Sequence, residues 1–444
     1  MSLPSFVRAA MVAASFCALS PSFVSADDVI SSAAQPRFWR GNLHTHTFWS
    51  DGDDFPDMVA EWYRTHDYNF LALSDHNVLS QGVRWEKVSK LTKKAGADVL
   101  SKYQARFGTD WVETRGAGDD AEVRLKPLDE FRSLVEERGK FLMIPSEEIS
   151  DKVGSAPIHI NAANLKEPVP PLSGASVQEA ITNNLRAVQD QAERTGREIL
   201  AHLNHPNYHY AVTAEELAEV TLERHFEVYN GHPGVSNLGD DRRPSMERMW
   251  DIANTIRLVE LKAAPLFGVA TDDSHNYHGK PKGASSGRGW VMVRSTHLTP
   301  EYIVRAMKAG DFYASSGVTL RDVRYDAAAG TLRVEVAPAG DAQFTVRFIG
   351  TLKGVDLTST EPTPLPAGKK LEKDTGKASR NYSDQIGKVL AEVAGPIAEY
   401  RLTGDELYVR AVITSSEAPA NPSYDNQKAQ AWTQPVGWEG LLKK

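Results

Sequence analysis

Between Phe38 and Gly317 short apolar runs alternate with amphipathic ones, and six of the apolar runs finish on histidine, aspartate or glutamate. Alternation of this kind reads as repeated strand–helix units. Strand candidates are "YNFLALSDH", "KFLMIPSEEIS", "PIHINAANL", "REILAHLNH", "HFEVYNG", "LFGVATDDSH" and "GWVMVRS". Helical spacing is expected over Val177 to Thr195, Ser245 to Ile256 and Pro300 to Ala309, and in "PDMVAEWYRTHD". Active sites of parallel α/β barrels lie at the C-terminal ends of the strands, so polar residues that finish successive strands converge on one place. The polar stretch from Arg84 to about Asp120 reads as part of a helical insertion, about 81–126. After Gly317 the texture changes to alternating residues with glycine turns ("LRDVRYDAAAGTLRVEVAPAG", "ELYVRAVITSS"), which predicts antiparallel β structure over 318–444.

The first 26 residues, with Arg8, an apolar run and Val-Ser-Ala ahead of Asp27, read as an export signal cleaved near Ala26. The expected location is periplasmic or secreted. The single cysteine, Cys17, falls inside that segment, so no disulfide or thiolate site is expected in the mature chain. No later segment approaches the ~20 apolar residues of a membrane span. Lys and Arg number 50 against 58 Asp and Glu, a net charge of −8 that argues against tracking a nucleic-acid backbone. A small anionic substrate stays open, because bound cations can reverse the local field.

The opening strand leads into "NLHTHTFWSDG". Residues two apart on a strand share a face, so His44 and His46 can serve one ion, and Asp273 and His275 in "TDDSH" repeat the spacing. Single candidates finish other strands: His76, an acid of "IPSEEIS", His159 and His205. Asp51 follows the first histidines closely. Imidazole mixed with carboxylate suits zinc, manganese or iron better than magnesium or calcium, and nine such groups imply more than one ion. Asp75 is expected to orient a ligating imidazole from behind. His202 lies on the opposite strand face from His205. His66, His209, His225, His278 and His297 read as surface or packing residues.

In this order, "NLHTHTxxSDG", "LALSDHN", "IPSEEIS", "HINA", "NHPN" and "ATDDSH" resemble the motifs of the polymerase and histidinol phosphatase (PHP) family of metal-dependent phosphoesterases. The resemblance implies a distorted (β/α)7 TIM-like barrel over 27–317, followed here by a small antiparallel β domain. It implies two or three divalent ions at the strand ends. His44, His46, Glu148 and Asp273 would hold one, Asp51, His76 and His275 a second, and His159 and His205 a third bridged by Glu148. Family members carry Gly-x-Glu where this chain has Ser146-Glu147-Glu148, so Glu147 is the rival of Glu148.

Paired ions activate water and clamp the oxygens of an in-line displacement, which removes the need for a side-chain nucleophile. "GASSG" at 283–287 precedes a strand rather than a helix, so it is expected to be a loop and not a nucleophile elbow. His232, Arg288 and Arg243, with Arg242 as neighbour, are the candidates for charge stabilisation and leaving-group protonation. The leading expectation is hydrolysis of a phosphomonoester or small phosphodiester. The alternatives are a hydrolase of a non-phosphate ester, carbamate or amide, and a non-catalytic exported metal- or ligand-binding protein. The β domain is expected to cap the structure or to form a homo-oligomer surface.

Overall fold

A computed structural model describes Met1 and residues 35–280, 283–362 and 374–443. The expected export signal therefore lies, apart from Met1, outside the described residues. The strands that position the site are β1 (Arg37–Asn42), β2 (Phe70–Leu73), β3 (Leu142–Val153), β4 (Ala156–Ala163), β5 (Leu200–Leu203), β6 (His225–Asn230) and β7 (Phe267–Thr271). They continue through β8 (Trp290–Ser295), β9 (Phe312–Ser315), β10 (Phe344–Leu352), β11 (Lys388–Ala394), β12 (Glu406–Ser415) and β13 (Gln430–Thr433). All belong to one sheet in the order β7-β6-β5-β4-β3-β2-β1-β8-β9-β13-β12-β10-β11.

The fold is mixed α/β with this large sheet at its centre. Strands β1, β2 and β3 pair in parallel, as do β5, β6 and β7. Between them β4 runs antiparallel to both neighbours. This departs from uniform strand–helix units: only Gly154 and Ser155 separate β3 from β4, and a two-residue connection can only fold the chain straight back. The two ends of the seven-strand run meet at one point, where a parallel bridge joins Thr45 beyond β1 to Ser274 beyond β7.

Helices connect several of these strands: α1 (Pro56–Thr65), α2 (Val88–Ala95), α3 (Val99–Phe107), α4 (Leu128–Val135), α5 (Val177–Thr195), α6 (Ala214–Glu219), α7 (Met246–Ile256) and α8 (Pro300–Lys308). Their ends follow local chemistry. Ser176 caps α5 by accepting from the Glu179 N–H, and Gly196 ends the helix in the left-handed conformation at φ 67°. Pro56 and Asp57 open α1, where a missing N–H costs nothing and a negative charge meets the helix dipole.

The insertion is not purely helical. Strands Arg84–Lys87, Thr114–Arg115 and Glu122–Leu125 form a small antiparallel sheet around α2 and α3. It is fastened to the segment after β1 through a shared apolar core of Phe48, Trp49, Phe55, Leu91, Tyr103 and Val123. Buried Asp57 accepts from Tyr103 Oη at 2.6 Å and from Trp111 Nε1 at 2.8 Å, which adds a polar anchor.

The strands after Gly317 are antiparallel, and the central sheet runs on across that residue because β9 pairs with β13. From Pro36 onward the chain forms one compact unit, so the boundary expected at Gly317 does not interrupt the sheet. Among the described residues no helix is long and apolar enough to cross a membrane.

Candidate metal centre

Strand β1 ends at Asn42, so His44 and His46 lie just beyond the regular ladder rather than within it. Their segment is held extended by neighbours. The Thr45 N–H donates to Ser74 Oγ at 3.0 Å, the His46 N–H to the Ser274 carbonyl at 2.9 Å, and Asn161 Nδ2 to the Leu43 carbonyl at 2.8 Å. A tight turn follows, in which the Ser50 and Gly52 N–H groups both donate to the Thr47 carbonyl. A Cβ on Gly52 would lie 2.4 Å from the His46 carbonyl carbon and oxygen, so this close approach requires glycine. Asp75 clamps the turn, accepting from Thr47 N at 2.8 Å, Thr47 Oγ1 at 2.8 Å and Ser50 Oγ at 2.6 Å. Asp75 was expected to orient an imidazole; its carboxylate is instead taken up by these three donors.

The structure brings all nine predicted side chains together. They form four overlapping groups: His46, Asp51, His76 and His275; His44, His46 and Asp273; His44, Glu148 and His205; and His76, Glu148 and His159. Within each group the donor atoms lie within 4.8 Å of one another. Neighbouring groups share His46, His44, Glu148 and His76, so the four close into a ring. His159 and His205, which the resemblance assigns to one ion bridged by Glu148, both approach Glu148 Oε1, with their rings 5.1 Å apart. Glu148 is the hub. Its Oε1 lies 3.3 Å from His44 Nε2, 3.0 Å from His159 Nδ1 and 3.5 Å from His205 Nε2, and its Oε2 lies 2.7 Å from His76 Nδ1. Glu147 points elsewhere and accepts from the Val169 N–H at 2.5 Å, as strand alternation requires of consecutive residues.

Two positions correct the strand-end picture. His159 lies in the first half of β4 and not at its end; because β4 is antiparallel to β3, the pairing of His159 with Ser150 delivers it beside Glu148 all the same. Asp273 and His275 lie beyond β7, and Asp273 has φ 48° while His205 has φ 24°. Two candidate ligands thus occupy a backbone region that side chains rarely adopt, a form of local strain that recurs at functional sites.

The donor set fits divalent cations on three observations. His44 Nε2 and His46 Nε2 are buried without a hydrogen-bond partner, although carboxylate oxygens of Glu148 and Asp273 stand 3.3–3.5 Å away, and Glu148 Oε2 faces only imidazole nitrogens. Buried polar atoms are rarely left so without a function. Charge tells the same story. Burial opposes ionisation of His44, but Asp273, Glu148 and Glu227 outweigh it and hold the imidazole well above its ordinary value. Burial also opposes the charge on His76, which Glu148 and Asp51 raise to about 11. His46 goes the other way, to about 3, through burial and the positive charges of His275 and His76. The carboxylates therefore demand positive charge that crowded imidazoles supply only in part. Third, the outer nitrogen of His44 is fixed: Nδ1 pairs with Glu227 Oε1 at 2.7 Å, which turns Nε2 toward the cluster.

Among the residues expected to act on a substrate, His232 lines the cavity above this cluster, with its ring 5.5 Å from that of His275. Arg288 and Arg243 do not line it. Arg288 donates to the Gly231 carbonyl at 2.9 Å and to Asn421, and Arg243 pairs with Asp374 at 2.6 Å and stacks on Tyr210. Their charges are used to tie loops together. Two lysines take the place expected of them. Lys94 on α2 and Lys280 after β7 both line the cavity, of about 310 Å³, and neither ammonium pairs with a described residue. Nothing in the polar composition around Lys94 marked it out. Glu227, by contrast, was visible as an acid in the otherwise apolar strand "HFEVYNG". Trp290, Trp49 and the six remaining histidines, His202 among them, supply none of the cluster's donor atoms; His225, for instance, pairs with the Met307 carbonyl.

No protein-family model matches this sequence, and no curated protein does. Among solved structures, a two-domain protein from Bacteroides vulgatus containing a predicted PHP-like metal-dependent phosphoesterase aligns with 90% of this chain and 96% of its own, at 14% identity and a TM-score of 0.39. A candidate metal-dependent phosphoesterase from Bifidobacterium adolescentis aligns with 56% of this chain and 91% of its own, at 13% identity and a TM-score of 0.29.

Proposed function

We propose that this chain is a metal-dependent phosphoesterase of the PHP kind, acting on a phosphomonoester or small phosphodiester, with its metal centre at the mouth of a distorted seven-stranded barrel. The observation that carries the proposal is the closed ring of nine histidine, aspartate and glutamate side chains with two unpaired lysines above it. His44, His46, Asp51, His76, Glu148, His159, His205, Asp273 and His275 would hold two or three divalent ions. Bound there, zinc, manganese or iron would supply Lewis acidity and water of lowered pKa.

The chain's own groups do the rest. Lys94 and Lys280 neutralise the non-bridging oxygens of the substrate at the rim, where water is only partly excluded. His232 is held as a neutral hydrogen-bond donor. Burial lowers its pKa, so the ring is neutral near pH 7, and the Gly234 N–H donates to its Nδ1 at 3.0 Å. The remaining N–H must then sit on Nε2, the tautomer able to donate a hydrogen bond to a substrate oxygen as charge develops on it. Asn230 aims the loop by accepting from the His232 N–H at 2.7 Å while donating to Asp273 and Glu227. The lysines favour phosphate over an uncharged ester or amide, since a neutral substrate leaves both ammonium groups uncompensated.

The test uses mature protein purified without chelator, beside a His44→Ala, His46→Ala double variant. Hydrolysis of chromogenic phosphomonoester, phosphodiester and carboxylic ester is measured together with metal content. Phosphoester cleavage with metal bound, both lost in the variant, is the expected result. Cleavage of the carboxylic ester alone would move the chemistry to another bond, and a protein without bound metal would end the proposal. Export is proposed separately on the composition of residues 1–26; N-terminal sequencing of the mature protein is expected to begin near Asp27.

A further inference from the structure

The turn at residues 205–210 starts at the ligand candidate His205 and brings Tyr208 to the wall of the same cavity. Its backbone is strained. His205, His209 and Tyr210 have φ of 24°, 52° and 53°, a left-handed region that side chains rarely adopt. Tyr208 is fixed among them: its N–H donates to the His205 carbonyl at 2.7 Å, its carbonyl accepts from the Ala211 N–H at 3.2 Å, and an antiparallel bridge pairs it with Val235 of the His232 loop. The Tyr208 ring meets that of His205 edge-on, with centroids 5.0 Å apart, and stacks on His209 at 4.0 Å. His232 stands beside it at 6.0 Å, with the two ring planes 85° apart.

Tyr208 is half-buried, and its hydroxyl makes no hydrogen bond with a described residue. Burial, then the carboxylates of Asp273, Asp51 and Glu148, raise the phenol above its ordinary value, so the hydroxyl keeps its proton and lies on the side of the cluster. A fixed O–H that reaches a cavity without an acceptor of its own can donate to the cavity's occupant. Strained backbone persists only where its surroundings over-determine it, and here those surroundings come from the C-terminal region. A strap at residues 374–379, between β10 and β11, takes the carbonyls of the turn one after another. The Thr375 N–H donates to the His209 carbonyl at 3.1 Å, Thr375 Oγ1 to the Tyr210 carbonyl at 2.7 Å and Lys377 Nζ to the Ala211 carbonyl at 2.9 Å. Ser379 Oγ accepts from the Ala214 N–H at 2.9 Å, and Asp374 holds Arg243, whose guanidinium lies 3.3 Å over the Tyr210 ring.

Given the phosphoesterase reading above, on which this rests, we infer that Tyr208 is a substrate-binding residue, its hydroxyl donating to a non-bridging oxygen of the phosphoryl group, and that Thr375 and Lys377 are positioning residues that hold it there. The hydroxyl supplies direction where Lys94 and Lys280 supply charge, since a phenol offers one aimed donor and an ammonium three rotatable ones. The donors also come from separate parts of the chain: Lys94 belongs to the insertion, and Tyr208 is braced from beyond Gly317. The C-terminal region thereby has a part in substrate binding besides covering the barrel.

Tyr208→Phe keeps the ring on His205 and His209 and removes only the donor, so a packing role and a binding role give different results. It is compared with Thr375→Val, Thr375→Ser and the Tyr208→Phe, Thr375→Val double variant, each as mature protein with its metal content determined. Kinetics use the chromogenic phosphoester that wild type cleaves, and isothermal titration uses inorganic phosphate. Tyr208→Phe is expected to raise KM and weaken phosphate binding by roughly tenfold, the effect of one hydrogen bond to a charged group, with metal content and melting temperature as in wild type. Thr375→Val should show part of that loss and Thr375→Ser should recover it. The double variant should be no worse than Tyr208→Phe alone, because the strap acts through that hydroxyl. A KM and phosphate affinity within about twofold of wild type in Tyr208→Phe overturn the assignment, as does a loss of metal that accounts for the change. Additive losses in the double variant overturn the role of the strap. In these cases the phosphoesterase reading stands; a wild type that binds metal but neither cleaves a phosphoester nor binds phosphate overturns that reading and this inference together.

Discussion

Glu227→Gln separates a support for the metal centre from a mere packing residue. Glu227 is fully buried and accepts four hydrogen bonds. Oε1 receives His44 Nδ1 at 2.7 Å and Thr271 Oγ1 at 2.6 Å; Oε2 receives the His205 N–H at 2.7 Å and Asn230 Nδ2 at 2.8 Å. A glutamine keeps the shape but must present an NH2 to one of these pairs. The backbone N–H of His205 and the amide of Asn230 cannot become acceptors in place, whereas the Thr271 hydroxyl can rotate and His44 can change tautomer. The amide nitrogen is therefore expected on the His44 side, which moves the imidazole proton to Nε2 and hides the lone pair that faces the cluster. Loss of an outer partner of a ligating histidine lowers metal affinity by roughly 10–100-fold, about 1.4–2.7 kcal/mol. Competition with a chromophoric chelator for Zn²⁺ and Mn²⁺ reads this directly, beside Thr271→Val, which removes one donor without touching the tautomer and should leave affinity nearly unchanged. Metal affinity within twofold of wild type in Glu227→Gln would refute the tautomer mechanism, whatever happens to the melting temperature.

Three further outcomes are expected. Lys94→Gln should raise KM for a phosphoester about tenfold with little change in melting temperature, as removal of one rim cation from a substrate anion would do; unchanged KM would remove Lys94 from substrate binding. Gly52→Ala should cost several kcal/mol of stability and most of the bound metal, because its Cβ meets the His46 carbonyl at 2.4 Å; normal metal content and melting would show that the turn yields. Asp57 is raised from 3.8 to about 6 by burial, in spite of Tyr103 and Trp111, so its stabilising contribution is complete below about pH 4 and is lost as pH rises through 6. The difference in urea stability between wild type and Asp57→Asn should therefore shift by about 3 kcal/mol against wild type between pH 4 and 7, and a pH-independent difference would contradict the assignment.

Much of the candidate site was legible because its residues finish apolar runs. His76 and His205 each follow a short strand within three residues, and the chemistry of the side chain together with that position suffices to nominate them. Alternation along β3 likewise separates Glu148 from Glu147, two adjacent acids that must face opposite ways. Arg288 and Arg243 failed for a complementary reason. A cation in a glycine-rich loop looks the same in sequence whether it faces a substrate or a neighbouring carbonyl, and here Gly231 and Asp374 take the charges. The role of Asp75 was misplaced similarly, since the partner of a buried carboxylate is chosen by whichever donors fold against it.

By itself, then, the sequence determined the strand–helix alternation, the antiparallel character of the C-terminal strands and the roster of nine metal-type side chains. These follow from periodicity and side-chain chemistry, both local properties. Tertiary structure alone decided that β4 turns back so that His159 reaches Glu148, that Glu227 stands behind His44, and that an insertion welded to the first loop brings Lys94 over the cluster. It also decided that Thr375 and Lys377 grip the turn that carries Tyr208. Each of these joins residues far apart in the chain, and such a meeting is set by register, packing and loop closure, which no short stretch of sequence encodes.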